Sequence, residues 1–336
     1  MKIGCHLPMF GPIGTRENVL TFARRMESLG YDSLWASDHV VIPRRIASRY
    51  PYSPAGQFPL GPDVPFLEPL TTLALVAGVT ERVRLGTSVL VLPHRNPALA
   101  AKMAATLDHL SGGRVVLGVG WMREEIELLG GDYDRRGAWS DEAIAVMRAC
   151  WRDARTAHHG EFFSFDEIGV FPKPTRGDIP ILIGGHTPRA LRRVVELGDG
   201  WHAAFIPPEA LKADIARLRE ECARQKRPFE QLTISVRAGL SLRSAPLGPD
   251  RKPLQGSRDQ VIADLVAYRD LGVESILLEA ATATSPTCSR STRPSRATSA
   301  PASDALPHPT RPLTLPSPPP GGEGVIGSTL SPLGRG

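Results

Sequence analysis

The chain has 336 residues, 41% apolar, 22% charged and 6% aromatic, an ordinary globular composition with enough length for one large domain, which excludes a small disulfide scaffold. Its 40 Lys and Arg against 35 Asp and Glu give a formal charge of +5, but five arginines lie beyond residue 282 against only Asp304 and Glu323, so the rest is nearly neutral. No Lys/Arg tract interleaves with aromatic residues, which argues against a nucleic-acid groove, and no run approaches about 18 uninterrupted apolar residues, which argues against a membrane span.

In chain order, short β-rich runs alternate with amphipathic stretches. Lys2–Leu7 opens as a strand rather than as a leader, so the expectation is a cytoplasmic chain. Helix Asn18–Leu29, strand Ser33–Ala36, helix Pro69–Val79, strand Val83–Leu92, helix Pro97–Leu110 and strand Arg114–Gly120 follow. The pattern continues with helix Asp141–Trp151, strand Ile179–Gly184, helix Pro188–Leu197, strand Trp201–Phe205, helix Pro208–Lys226, strand Leu232–Ala238, helix Arg258–Leu271 and strand Glu274–Ala280. Eight such strands with helices between them predict an α/β protein, a closed (β/α)8 TIM barrel over residues 1–282. Two insertions depart from the bare barrel. Val40–Leu67, rich in Pro, Arg and Tyr, follows the second strand and is a lid candidate, and the segment from Gly160 to Phe171 reads as an accessory hairpin.

Beyond residue 282 the composition changes. Residues 283–336 hold 11 of the 32 prolines, nine Ser and seven Thr, with no periodic apolar pattern, and are expected to be a disordered low-complexity tail produced by a frameshift. The eighth helix that should follow Ala280 is then missing. Cys5, Cys150, Cys222 and Cys288 form no C-x-x-C pair and read as reduced packing thiols, so no metal site is expected.

In a barrel, chemistry sits where strands end. The first strand ends at His6 and the second at Ser37-Asp38-His39, where an Asp-His pair can fix an imidazole tautomer and pass a proton, or can be a satisfied structural pair. The fourth ends Gly118-Val-Gly120-Trp121, followed by Arg123 where a dinucleotide fingerprint needs a third glycine, so a Rossmann reading is rejected. Ile183-Gly184-Gly185-His186-Thr187-Pro188 leaves the fifth strand with Thr as N-cap and Pro at the first helical position, offering free N–H groups to an anion, or is simply a tight turn. Glu125 is open between a catalytic acid and a helix-start carboxylate, and Trp201, like Trp121, between pocket wall and core.

Taken together, Ala36-Ser-Asp-His39, Arg84-Leu-Gly-Thr-Ser-Val-Leu-Val-Leu-Pro-His-Arg-Asn-Pro97, Thr106-Leu-Asp-His-Leu-Ser-Gly-Gly-Arg114, Gly118-Val-Gly-Trp121 with Glu124-Glu125, and Leu197-Gly-Asp-Gly-Trp201 resemble the luciferase-like monooxygenase superfamily, and more closely its coenzyme F420-dependent oxidoreductase branch. The resemblance covers about residues 1–280. It implies a flavin-like ring bound at the barrel mouth, coenzyme F420 in this branch and FMN in others, with a small-molecule substrate and a homodimer as the assembly. It further implies that Asp38 and His39 face the ring, with His39 handling a proton beside the redox carbon and Glu125 as a second catalytic candidate. Ser88-Val89 matches a bulge behind the ring where a non-proline cis peptide is usual. Gly184, Gly185 and Thr187 would hold the cofactor phosphate, Gly120 would border the ring, and His6 and Trp201 would border the substrate.

The leading expectation is an oxidoreductase that transfers a hydride between F420 and a small organic molecule. The alternatives are an FMN-dependent monooxygenase using oxygen, and a non-catalytic or truncated remnant.

Overall fold

The computed structural model describes residues 1–50, 52–53 and 55–280. The expectations of a disordered tail and of a missing eighth helix lie outside the described residues. Strand β1 (Lys2–His6), helix α1 (Arg16–Ser28), β2 (Ser33–Ala36), α2 (Pro69–Ala77), β3 (Arg84–Val91), α3 (Pro97–Ser111) and β4 (Val115–Gly120) form the first half. After them come α4 (Arg123–Leu128), α5 (Arg136–Arg152), β5 (Thr156–His159), β6 (Ser164–Ile168), β7 (Ile181–Gly184), α6 (Pro188–Leu197) and β8 (Gly200–Ala204). Helix α7 (Pro208–Arg224), β9 (Thr233–Leu242), the two-residue β10 (Gln255–Gly256), α8 (Arg258–Asp270) and β11 (Ser275–Ala280) complete the described chain.

Strands β1, β2, β3, β4, β7, β8, β9 and β11 pair in that order, all parallel, and β11 closes back on β1 with Lys2 opposite Ser275. This is the closed barrel expected from the alternation of elements. Five of the eight helices start at a side-chain cap: Thr15, Glu68, Asn96, Thr187 and Ser257 each accept a backbone N–H with the side chain. Pro69, Pro97 and Pro188 take first-turn positions that need no N–H partner.

Three expectations are corrected. A helix start at Glu125 is one of the two readings of that residue, but the sequence sets no bounds for α4, because six residues give too few turns for a readable period. Helix α5 begins at Arg136 rather than Asp141, without a side-chain cap to mark its start. The hairpin also lies earlier than expected: Gly160 is in its turn, and the first strand is Thr156–His159. The turn's N–H groups at Glu161, Phe162 and Phe163 are satisfied by the carboxylate of Glu142, a partner that local turn chemistry does not reveal.

Period-2 alternation divides the strands' residues between two cores. The outward set, including Leu34, Leu85, Leu117, Ile181, Ile183, Trp201, Ile234 and Ile276, joins the helices in one apolar layer. Trp35, Val116, Leu182 and Leu277 fill the barrel axis. The indole of Trp35 stacks on the His202 ring with centroids 5.1 Å apart and planes 7° apart. Gly86 makes that room, since a Cβ there would come within 2.3 Å of the indole.

Above this layer the interior turns polar. His6 is buried, its Nδ1 bonded to the Leu7 carbonyl at 2.8 Å and its Nε2 to Ser37 Oγ at 2.7 Å. Because a carbonyl only accepts, Nδ1 carries the proton and Nε2 accepts from Ser37. His202 lies between Ser88 Oγ at 2.8 Å and Ser235 Oγ at 3.0 Å. Burial, reinforced by the charge of Arg237, pushes His6 down to about 4 and His202 down to about 3. Both are therefore neutral in the folded chain, whereas the unfolded chain protonates them below about pH 6.5. Their contribution to stability is complete above that value and is lost as pH falls towards 4. Denaturant unfolding is expected to show a loss of about 4 kcal/mol between pH 7 and pH 5, and a flat profile across that window would contradict the neutral assignment.

Candidate active site

The ends of β2, β3 and β4 converge on one carboxylate. Glu125, fully buried in the first turn of α4, accepts from three consecutive residues of the segment that leaves β2. Its Oε1 is 2.5 Å from His39 Nδ1, and its Oε2 takes the N–H groups of Val40 at 2.8 Å and Val41 at 3.4 Å. An ionised carboxylate only accepts, so His39 presents Nδ1–H to it and keeps Nε2 as the free ring nitrogen. Phe58 and Phe66 flank the His39 ring, with centroids 4.7 and 5.1 Å away. The neighbouring Glu124 holds the insertion further along, accepting from Ser48 N at 2.7 Å and Ser48 Oγ at 2.9 Å. A tandem Glu-Glu on one short helix thus tethers the lid candidate at two points.

A second group of residues surrounds the end of β3. The Ser88–Val89 peptide is cis, at the register shift between Thr87 and Leu90 where β3 pairs with β4. Arg237, inward on β9, donates from Nη1 to the Ser88 carbonyl at 2.6 Å and to Ser37 Oγ at 3.1 Å. Glu279 on β11 holds the other side of that guanidinium, at 2.9 and 3.1 Å. The Arg237 charge keeps the Glu279 carboxyl below its ordinary range against the opposing effect of burial. Tyr52, from the insertion, meets Phe205 at 5.3 Å, and Tyr50 meets Phe58 at 5.1 Å, so the insertion covers the mouth with aromatic rings.

To one side of the mouth, where Trp121 follows β4 and α6 begins, lies a cleft of about 490 Å³ whose walls include Trp121, Arg136, Thr187, Arg189, Arg192 and Arg193. Arg193 pairs with Asp141, but among the described residues Arg136 and Arg189 have no carboxylate within ion-pair distance. Arg136 lies 3.8 Å over the Tyr133 ring, and its buried Nε has no partner among the described residues. His186 Nδ1 is likewise buried and unbonded, 3.5 Å from Asp214 Oδ2. With the Thr187 N-cap and the first N–H groups of α6, this donor set fits an anionic group.

The structure brings His39 and Glu125 into direct contact, deciding Glu125's partner, and places Thr187 on the wall of the cleft; Gly184 and Gly185, in the turn that leads to it, are not among the lining residues. Gly120 packs against Val89, since a Cβ on Gly120 would fall 2.5 Å from Val89 Cγ2. Three expected positions face elsewhere. Asp38 spends both oxygens on Arg95, at 2.6 and 3.0 Å, and one also on the Val91 N–H at 2.9 Å, so it anchors loops beneath the mouth. His6 is enclosed by Leu7 and Ser37. Trp201 is fully buried in the outer apolar layer, its indole N–H bonded to the Gly185 carbonyl at 2.7 Å, which makes it a brace for the turn rather than a wall.

Sequence reasoning missed His94, Arg95, Arg237 and Glu279. The last two carried a signal: a charged residue at the inward period-2 position of an apolar strand needs a partner inside the barrel.

The sequence matches the family model described as luciferase-like monooxygenase over residues 4–246, and the chain belongs to that family. An uncharacterized protein of Mycobacterium tuberculosis, Rv0940c, is 40% identical over 223 residues, covering 65% of this chain and 76% of the relative. Among solved structures, an F420-dependent secondary alcohol dehydrogenase in complex with an F420-acetone adduct superposes with a TM-score of 0.67 at 18% identity, covering 83% of this chain and 93% of the other. The monooxygenase RslO1 from Streptomyces bottropensis does so with a TM-score of 0.65 at 21% identity, covering 83% and 92%. At these identities the two structures share the fold.

Truncating Arg237 to Met would leave Glu279 and the Ser88 carbonyl without their donor. Because the pair is partly exposed, the expected loss is roughly 2–3 kcal/mol, at or below the lower end for a broken buried pair, and the double variant with Glu279→Gln should recover part of it. Unfolding midpoints unchanged in Arg237→Met would contradict the bracing role.

Proposed function

We propose that this chain is an oxidoreductase that binds coenzyme F420 at the barrel mouth and moves a hydride between it and a small organic substrate. The observation that carries this reading is the arginine-lined cleft beside Thr187. Five guanidiniums line this cleft; Glu161, Glu221 and Asp141 engage Arg135, Arg192 and Arg193, while among the described residues Arg136, from α5, and Arg189, from α6, have no carboxylate partner and are left for a ligand beside the Thr187 N-cap. Two unpaired guanidiniums on separate helices, added to the helix N-terminus, suit a ligand with several negative charges along a tail, as in F420, and we weigh this above the single phosphate of FMN. Membership of the luciferase-like family and the likeness to an F420-dependent alcohol dehydrogenase support the same reading.

When bound, a deazaflavin supplies a ring carbon that gives or takes a hydride. The chain's own contribution is positional and acid-base. Thr187, Arg136 and Arg189 hold the anionic part, while the Gly184-Gly185 turn, braced by Trp201, keeps α6 aimed at it. His39, oriented by Glu125, presents Nε2 towards the covered mouth, where it gives or removes the proton that accompanies hydride transfer at a carbonyl or carbinol. The aromatic rings of the insertion exclude water from that step.

Side-by-side titration with oxidised F420 and FMN at low and moderate salt tests this. F420 is expected to bind more tightly, with the steeper salt dependence, and Arg189→Ala should weaken it roughly tenfold, the loss of one charge-assisted hydrogen bond. Equal or tighter FMN binding, or an Arg189→Ala variant that binds F420 as the parent does, would contradict the proposal.

A further inference from the structure

His94 ends the short turn after β3, and its side chain is wholly buried. Among the described residues neither ring nitrogen has a hydrogen-bond partner. An imidazole enclosed in this way costs free energy unless its surroundings compensate. Here they are two carboxylates on opposite sides of the ring: Asp38 Oδ2 lies 3.7 Å from Nδ1 and Glu125 Oε2 lies 3.9 Å from Nε2. Asp38 is held by Arg95, which also pairs with Glu68 at 2.7 Å, while Glu125 holds His39. The groups form one line: Glu68, Arg95, Asp38, His94, Glu125, His39.

Charge counting along that line gives three carboxylates and one guanidinium. Of the two negative charges in excess one is shared with the half-buried Glu68, but Asp38 and Glu125 are enclosed, and the groups beside them able to offset charge by holding a proton are the two imidazoles. Glu125 lies between both, one oxygen towards each.

We propose that His94 is a positioning residue for His39, and that the acid-base unit of this site is the three-membered unit His39–Glu125–His94, across which charge is shared, with Asp38 and Arg95 fixing its far end. The consequence for the chemistry is that the readiness of His39 to hold a proton is set by the charge on His94 through their common carboxylate. This inference rests on the reading of His39 as the proton-handling group, but it is tested without cofactor or substrate, so either can fail alone.

The full chain labelled with 15N-histidine, without cofactor, is titrated by NMR, and the resonances of His39 and His94 among its nine histidines are assigned through His39→Gln and His94→Gln. In Glu125→Gln the midpoints of both His39 and His94 are expected to move down by roughly half a pH unit or more, because both lose the same anion, and in His94→Gln the His39 midpoint should move up by a similar amount. Movement of His39 alone in Glu125→Gln, or an unmoved His39 in His94→Gln, would overturn the proposal. A purely structural role for His94 would lower the unfolding midpoint without displacing the His39 titration. If His94→Gln does not fold, the near-isosteric Glu125→Gln, with the parent assigned through His39→Gln, still decides between one responding imidazole and two.

Discussion

One buried carboxylate organises the mouth of this barrel. Glu125 must satisfy its charge with groups that reach it, and these come from two stretches of chain: the His39 ring and the backbone N–H groups of Val40 and Val41 after β2 as donors, and His94 after β3, whose Nε2 lies 3.9 Å away. Burying an ionised group without partners is costly enough that the loops after β2, β3 and β4 are held together by this single requirement. The orientation of His39, the entry angle of the insertion and the position of the short α4 all follow from it.

Below that level a second polar layer runs across the barrel. His6, Ser37, Ser88, His202, Ser235, Arg237 and Glu279 are linked hydrogen bond to hydrogen bond, above an apolar plug made by Trp35, Val116, Leu182 and Leu277. The division is economical. The helices and outward residues supply nonpolar burial, leaving the upper interior free to carry groups that fix the backbone at Ser88 and the covering aromatic rings. Desolvation keeps the two deep histidines neutral, so they brace the site without adding charge beneath it.

The eight barrel strands were legible because period-2 apolar runs and capped, Pro-initiated helices are local signals; β2 and α6 occupy the residues expected of them. Ends differed where a partner far along the chain decided the pairing, as when β9 runs on to Leu242 to meet β10. Of the site, His39, Glu125 and the Thr187 turn stood out as residue types at strand ends. Their mutual contact did not, since His39 and Glu125 are joined only by the closing of the barrel. Asp38 and Trp201 show the limit most clearly: each sits where functional residues sit, yet Arg95 claims one and the outer apolar layer claims the other. His94 was visible only as part of a matching string, and its meaning lies in two carboxylates brought to it from β2 and α4.

The central claim is that this mouth is built for a ring at β3–β4 under His39 and a polyanionic tail in the arginine cleft. A crystal structure of the chain with F420 tests it most directly. The account predicts the ring against Val89 and Gly120 with its redox carbon towards His39 Nε2, and the anionic tail on Thr187, Arg136 and Arg189. A tail lying elsewhere on the barrel, or a ring out of reach of His39, would contradict it.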